Sequence, residues 1–334
     1  MNRSGPRHTA LTVRPVTLTE LPELWTRSRK TLDWHCLFTL PPWLQTWWSI
    51  FRTDQEPHIV AVERGTEIIA LAPFMRRDTT AELIGSPNVC DYLDVVRGPG
   101  TANGFAEPLL AQLRQSGIHR VTLRGVRPDA RVWTDLLPVA RSNDWAVTCE
   151  EEGLAYQIQL PQTWDAFLQQ LNGKQRHELR RKLRRLHEAG TVQYRQVDIV
   201  PAGPPVVDLF IELFKASRSD KATFMTTQMA TYFHALAKTF SDLNMLTLGL
   251  LELDGRVVSA VMGFDYRATR YLYNSGYDPN FRSLSVGLLC KVLSIKDAIA
   301  KGFSSYDLLK GAETYKQRLG ARATKLYRCT IGFP

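Results

Sequence analysis

The sequence predicts an α/β (α+β) chain of two tandem domains, each a mixed, mostly antiparallel sheet flanked by helices. Three observations carry this prediction. At 334 residues the chain has the length of about two ordinary domains. Three consecutive β-rich runs, 245–253, 257–266 and 270–277, are joined by the short turns Asp254-Gly255 and Arg267-Ala268, which marks an antiparallel meander. The third run is followed by a tight loop, an apolar segment of helical period ending at Gly302, and another strand-like run at 304–309.

The remaining elements follow from periodicity and breakers. In the first half, 11–16 reads as a strand and Thr19 caps a helix to Lys30. Pro41-Pro42 starts a helix with Trp43, Leu44, Trp47, Trp48 and Phe51 at helical spacing. A hairpin is expected around Arg64-Gly65, with strands 58–62 and 68–74. Helices at 106–115 and 130–140 and strands at 118–123, 145–149 and 155–160 complete this half, and Gly98-Pro99-Gly100 is a turn. In the second half one long amphipathic region, 163–189, stops at Gly190. A strand at 192–197, a helix from Pro204-Pro205 to Arg218 and a helix at 227–240 precede the meander. A short helix at Ala312 and a last strand, 325–331, close the chain. No flexible linker separates the halves, so the domains are expected at 10–155 and 156–334.

Composition narrows the classes. The apolar share is 44% and the charged share 22%, as in globular proteins that fold on buried cores. No run approaches the roughly 20 apolar residues of a spanning helix, and the basic N-terminus lacks the apolar core of a secretory leader. A cytoplasmic chain is therefore expected. The five cysteines are scattered, without a Cys-x-x-Cys pair, so neither a zinc ribbon nor a redox motif is expected, and no metal. The formal net charge of +9 favours an anionic partner.

Three stretches invite chemistry. The loop Arg282-Ser283-Leu284-Ser285-Val286-Gly287 stands between a strand and a helix, an arrangement that offers backbone N–H groups and positive dipole charge to a pyrophosphate. Gly287 allows close approach and Arg282 offers a cation; the plain alternative is Ser285 as an ordinary helix cap. The helix Lys174–His187 carries Lys174, Arg176, Arg180, Arg181, Lys182, Arg184 and Arg185 around a stripe of Leu179, Leu183 and Leu186. It predicts an anionic membrane surface or an RNA as partner, against the alternative of a merely solvated face. In the first half, Asp91 and Asp94 lie three apart in an otherwise apolar loop, either as a site for an ammonium group or as loop caps. No Gly-x-Ser-x-Gly turn supports a serine hydrolase.

The order of elements resembles the Gcn5-related N-acetyltransferase (GNAT) fold, in which a phosphate-binding Arg/Gln-x-x-Gly-x-Gly/Ala loop follows the fourth strand. Arg282, Ser285 and Gly287 stand at the matching positions, with Ser285 replacing the first glycine. The chain is more specifically similar to FemAB-like acyltransferases, including the CelD/BcsL type of bacterial polysaccharide loci. The residues that carry this are Phe38-Thr39-x-x-x-Trp43, Gly173-Lys174-Gln175-Arg176, Ser217-Arg218-Ser219-x-Lys221, Tyr273-Asn274-Ser275-Gly276-Tyr277-Asp278 and Gly311-x-Glu313-x-Tyr315-Lys316.

The resemblance implies an acyl-CoA, acetyl-CoA or acyl-carrier thioester as donor, an amine as acceptor and direct attack without a covalent intermediate. It implies Glu313 as base or orienter, Tyr315 as acid for the leaving thiolate, Asp307 within the same group, and Lys316 as a contact to an anionic acceptor. It assigns Arg282, Ser285, Val286, Gly287, Asn274 and Tyr277 to the donor. Arg218 and Lys221 fall to the acceptor or to phosphates, and Trp43 to an acyl pocket. Tyr271, Tyr273 and Tyr277 are expected on one strand face. Two alternatives stay open: aminoacyl transfer from a charged tRNA, for which no long helical arm is present, and a degenerate module that only binds membrane or nucleic acid. An envelope glycan, lipid or peptide precursor is the expected acceptor, with the basic helix seating the chain on the inner membrane face.

Overall fold

The computed structural model describes residues 10–100, 104–197 and 205–334. The basic stretch before Ala10 and the expected helix start at Pro204 lie outside the described residues. The chain divides into two compact units, one running to Gly153 and taking in Lys325–Pro334, the other Leu154–Thr324. The last strand, read in the sequence with the second domain, thus packs with the first unit, where it pairs with the 120–126 strand (Ile331 opposite Val121).

In the first unit, β1 (Leu11–Val16), β2 (Glu56–Arg64), β3 (Glu67–Arg77) and β4 (Thr80–Leu83) form an antiparallel run, and β5 (Val96–Arg97) pairs with β3. β4 then pairs in parallel with β6 (Arg120–Val126). Helices α1 (Leu21–Ser28), α2 (Pro41–Phe51), α3 (Ala106–Gln115) and α4 (Leu137–Ser142) flank it. The helix expected at 130–140 is present, widened to a π-helical turn over Val132–Leu136 that runs directly into α4. Pro138, which lacks an N–H and crowds the preceding turn, stands at that junction.

The chain enters the second unit within β7 (Ala146–Gln159), one continuous strand where two were expected. Helices α5 (Trp164–Gln170) and α6 (Gly173–Glu188) replace the single long helix. The break is chemical. The Asn172 side chain accepts from the Gln175 amide at 2.9 Å and the Gln175 side chain accepts from the Asn172 amide at 3.0 Å, a capping box that starts a new helix. Then follow β8 (Val192–Gln196), α7 (Pro205–Ser217), α8 (Ser219–Phe224), α9 (Thr227–Asp242), β9 (Leu246–Leu253), β10 (Arg256–Tyr266), β11 (Thr269–Tyr277), α10 (Val286–Ala300), β12 (Ser305–Lys310), α11 (Thr314–Arg318) and β13 (Arg322–Gly332). β8 to β11 form an antiparallel series. β11 pairs in parallel with β12, and β12 is antiparallel to β7. Both units therefore place four antiparallel strands next to one parallel junction.

Two features of β11 position the site. Its parallel pairing with β12 covers only Thr269 to Tyr271, opposite Ser305 to Asp307, while β11 runs on to Tyr277. On its other edge β12 stays paired with β7 to its end, from Ser305 opposite Gln159 to Lys310 opposite Ala155. β11 also contains a bulge where Met262 faces Asn274 but Gly263 faces Leu272. The extra residue breaks the period of two. Tyr273 packs on Phe233 and Phe264, whereas Tyr277 packs against Gly287 of α10. The expected single face of Tyr271, Tyr273 and Tyr277 does not exist for this reason. The second unit's core gathers Phe167, Leu186, Val258, Leu289, Val292, Ile295 and Tyr306, all essentially inaccessible to solvent.

Candidate active site

The second unit brings together the head of α10, the diverging end of β11 and the segment after β12. At the first of these, Ser285 takes a left-handed conformation (φ 59°). Its carbonyl accepts from Leu288 and Leu289, and its hydroxyl accepts from Lys182 Nζ at 2.8 Å instead of capping the helix. The amides of Val286 and Gly287 lie in the first turn, where no helical carbonyl is available. The side chain of Val286 is core, so only its backbone can meet a ligand. A Cβ on Gly287 would stand 2.7 Å from the Tyr277 ring, so this glycine is required by helix–strand contact. Arg282 is exposed, and its carbonyl accepts from the Ser285 amide.

Beside this helix start lies a cavity of about 820 Å³, lined by Lys174, Gln175, His177, Lys182, Leu288 and Arg318 among others. Four basic side chains and an apolar floor of Leu179, Leu288 and Leu319 fit the phosphates and organic body of a CoA-type donor, within the usual size of ligand clefts.

Towards the end of β12 the chain makes a bulge with Leu309 at φ 58°, and Gly311, just beyond the strand, stands at φ 122°. Asp307, expected among the catalytic groups, is buried, and its carboxylate accepts from the Leu309 amide at 2.8 Å. It stabilises the bulge. Lys316, expected to meet the acceptor, is only 2% exposed. Its ammonium bonds the carbonyls of Leu309 (3.1 Å) and Lys310 (2.8 Å) and pairs with Glu313 at 3.1 Å. With its donors used inside the fold, Lys316 is a brace.

Burial works against ionisation of Glu313, but the Lys316 charge and hydrogen bond, a backbone hydrogen bond and the Arg218 charge together hold the carboxyl below its ordinary range. Such a group keeps its charge and suits an ionic hold on an ammonium better than proton removal near neutrality. Tyr315 is half-buried, and burial, then the Glu313 charge, push its hydroxyl well up. It remains protonated and able to donate.

Lys221 and Lys291 complete the group. Lys221 Nζ donates to the Ser275 carbonyl at 2.5 Å and sits 4.6 Å from the Phe214 ring centroid. Lys291 Nζ donates to the Gly287 carbonyl at 2.8 Å and lies 5.0 Å from the Tyr315 ring centroid. Burial lowers both ammonium groups to about 8; for Lys221 the nearby Lys291 and Arg218 charges add to it. Arg218 itself is exposed and doubly bonded to Asp220 at 2.9 and 2.7 Å, so its guanidinium serves that carboxylate. Asn274 is half-buried on β11 and Tyr277 closes on Gly287. Sequence reasoning missed Lys291 and treated Lys182 only as part of a surface; the signal for Lys291 was a lone cation, four residues after Gly287, in the apolar run Val286–Ile295.

The first-unit candidates have structural work. Asp94 is buried and accepts from His35 Nε2 (2.9 Å) and from the amides of Val95, Arg131 and Val132 (2.9, 2.7 and 2.8 Å). Four donors leave it no free lone pair for a substrate. Asp91 is half-buried, and its carbonyl stands 2.7 Å from where a Gly125 Cβ would be. Trp43 is fully buried and donates to Cys90 Sγ at 3.3 Å, so it is core; Trp47 is the α2 tryptophan that lines a cavity, one of about 290 Å³ with Phe51, Met75 and Leu83. Among the described residues no group of His, Cys, Asp or Glu is arranged to hold a metal ion.

Residues 173–317 match the acetyltransferase (GNAT) domain family. A comparison with curated proteins gives no match. Among solved structures, the fold is similar to FemX, at a TM-score of 0.62 and 14% identity over 95% of this chain and 96% of that one. It is also similar to the C-terminal domain of a putative lysylphosphatidylglycerol synthetase from Agrobacterium fabrum, with a TM-score of 0.56 and 13% identity over 94% and 92% of the two chains. A third is a tandem GNAT protein from the clavulanic acid biosynthesis pathway, with a TM-score of 0.53 and 9% identity over 97% and 99%. Residues 173–317 carry a domain of the acetyltransferase (GNAT) type, and the fold of the whole chain is similar to those of FemX and of a tandem GNAT protein. A GNAT domain implies a CoA-linked thioester donor and an amine acceptor.

Proposed function

We propose that this chain is an N-acyltransferase that moves an acyl group from an acyl-CoA or acyl-carrier thioester to an amine by direct attack. The observation that carries the reading is the divergence of β11 from β12 beyond Tyr271, with Glu313 and Tyr315 following β12 and a cation-lined cavity at the head of α10. The donor's phosphates occupy that cavity, held by Lys182, Lys174, Arg318 and the first-turn amides of α10. Its thioester reaches the open edge of β11 near Asn274 and Ser275. Glu313 holds the acceptor as an ammonium, which gives up one proton to solvent water before attack. The amine nitrogen then bonds to the thioester carbon, the C–S bond breaks, Tyr315 donates its proton to the departing thiolate, and the phenolate takes up the proton that the nitrogen sheds as it becomes an amide.

The acceptor class is an envelope precursor: a glycan, lipid or peptide. The support is the outer face of α6, where Arg180 and Arg185 are exposed, while Arg181 pairs with Glu178 and Arg184 with Glu188. That face suits an anionic membrane surface, in keeping with a chain in which, among the described residues, no helix is long and apolar enough to cross a membrane. The same cations, with the FemX-like fold, favour a second reading: aminoacyl transfer from a charged tRNA. Thermal-shift measurements with acetyl-CoA, a long-chain acyl-CoA and bare tRNA test the choice. Stabilisation by either thioester supports the first reading; stabilisation by tRNA alone supports the second.

A further inference from the structure

We infer that the first unit holds a binding site of its own for a small organic cation, a primary ammonium group on an apolar body, seated where β4 and β6 part. The inference does not rest on the acyltransferase reading. β4 and β6 pair in parallel only from Thr80 to Glu82, opposite Arg120 to Thr122. β4 then ends at Leu83 and the chain turns away through Gly85 at φ 144°, while β6 continues to Val126. Crevices beyond the carboxyl ends of parallel strands in open sheets are a usual place for ligands. The cavity of about 290 Å³ lies there, at the lower end of the usual size of ligand clefts. Its floor follows from register. Met75 stands opposite Glu82 and Glu82 opposite Thr122, so the three side chains project side by side from one face of the sheet, with Arg124 two residues further along β6. All four line the cavity, and Trp47 and Phe51 of α2, their ring centroids 5.8 Å apart, form an apolar wall.

The charge of the walls selects the ligand. Among the described residues, Arg124 is the one basic residue lining this cavity; its Nε donates to Glu152 at 2.6 Å and its Nη2 pairs with the same carboxylate, so its charge is met. Glu82 is half-buried and has, among the described residues, neither a hydrogen bond nor an ion pair. An adjoining cavity of about 340 Å³ shares Gln55, Met75 and Glu82 with the first. Its basic side chain, Arg77, is bound to Asp54 at 2.6 Å, and Asp78, exposed there, adds negative charge. Both cavities thus leave Glu82 without a counterion, in a chain whose formal net charge is +9. A carboxylate held partly out of water without a partner carries a cost that an entering cation removes. Aromatic rings beside it add attraction for an ammonium group. An anion is repelled, and a neutral body gains only the apolar contact. The cavity of the second unit, with its four basic side chains, has the opposite preference.

The test is calorimetric titration of the full chain with 2-phenylethylamine, 2-phenylethanol and 3-phenylpropionate, which share an apolar body and differ in the charge at its end. The parent, Glu82→Gln and Glu313→Gln are compared. The expected result is saturable binding of the amine by the parent, with the alcohol and the carboxylate weaker by about tenfold or more, the weight of one hydrogen bond to a charged group. Glu82→Gln is expected to lose about that factor for the amine. It is also expected to melt as the parent does, since the carboxylate has no partner within the described fold. Glu313→Gln is expected to bind the amine as the parent does, which separates this site from an acceptor site in the second unit. No amine binding by the parent, or equal affinity for amine and alcohol, overturns the inference. So does parental amine affinity in Glu82→Gln, a Glu82→Gln chain that melts well below the parent, or a loss of amine binding in Glu313→Gln.

Discussion

Tyr315 and Glu313 stand two residues apart and are predicted to fail differently. Tyr315→Phe keeps the ring beneath Lys291 and removes only the proton. Turnover with a defined acceptor should fall by about 10²–10⁴-fold, the usual weight of proton transfer, with donor affinity changed much less. Near-parental turnover would remove Tyr315 from the mechanism. Glu313→Gln should act mainly through the acceptor, raising its KM, because the carboxylate is held charged by Lys316. A Cβ at Gly311 would come within 2.5 Å of Glu313 Oε2, so Gly311→Ala should reproduce the Glu313→Gln phenotype by displacing the carboxylate; a parental KM in that variant would contradict it. The sequence shows Tyr315 and Glu313 as residue types able to carry the proposed chemistry. Roles are not legible there. Asp307, Lys316 and Asp94 look like site groups in sequence, and only the partners they meet after folding reveal a bulge brace, a carbonyl clamp and a turn cap.

At the scale of elements, close approach of α7 to β11 depends on Gly276. An added Cβ there would lie 2.2 Å from the Phe214 amide nitrogen and 2.4 Å from the Leu213 carbonyl carbon, both main-chain atoms that cannot rotate away. Gly276→Ala should therefore destabilise the chain by about 1–3 kcal/mol and disturb Lys221, which follows α7. Denaturant melts measure the first effect, and unchanged stability would show that α7 stands off the strand. The cap at Asn172 is a milder test: Asn172→Ala should cost about 0.5–2 kcal/mol in the same melts. The expected Thr19 cap was not borne out, since Glu20 precedes α1 without a side-chain cap bond. Meander and crossover helix were legible because each rests on local periodicity or a breaker. The β11 bulge was not, since Leu272-Tyr273-Asn274 alternates as well as any strand and the extra residue is set by the partner strand. Nor was the α5–α6 break, because Leu171 keeps the apolar rhythm and Asn172 acts as a cap only through Gln175.

At the scale of the whole molecule, two tandem units with mostly antiparallel sheets were readable from element order. The return of the last strand to the first unit was not, because pairing of β13 with β6 is long-range and leaves no local mark. The excess of basic residues bears on partners. Replacing Arg176, Arg180 and Arg185 with Gln should reduce co-sedimentation with anionic vesicles at low salt, where the parent's binding falls steeply as salt rises. Equal binding by the variant would make the face of α6 a solvated surface and nothing more. The central claim, that the second unit binds a thioester donor at the head of α10, is tested most directly by calorimetric titration of the full chain with acetyl-CoA, parent against Lys182→Glu. The account predicts saturable binding by the parent and at least a tenfold loss in the variant, whose circular dichroism is unchanged. Absence of binding by the parent, or equal affinity in the two, would contradict it.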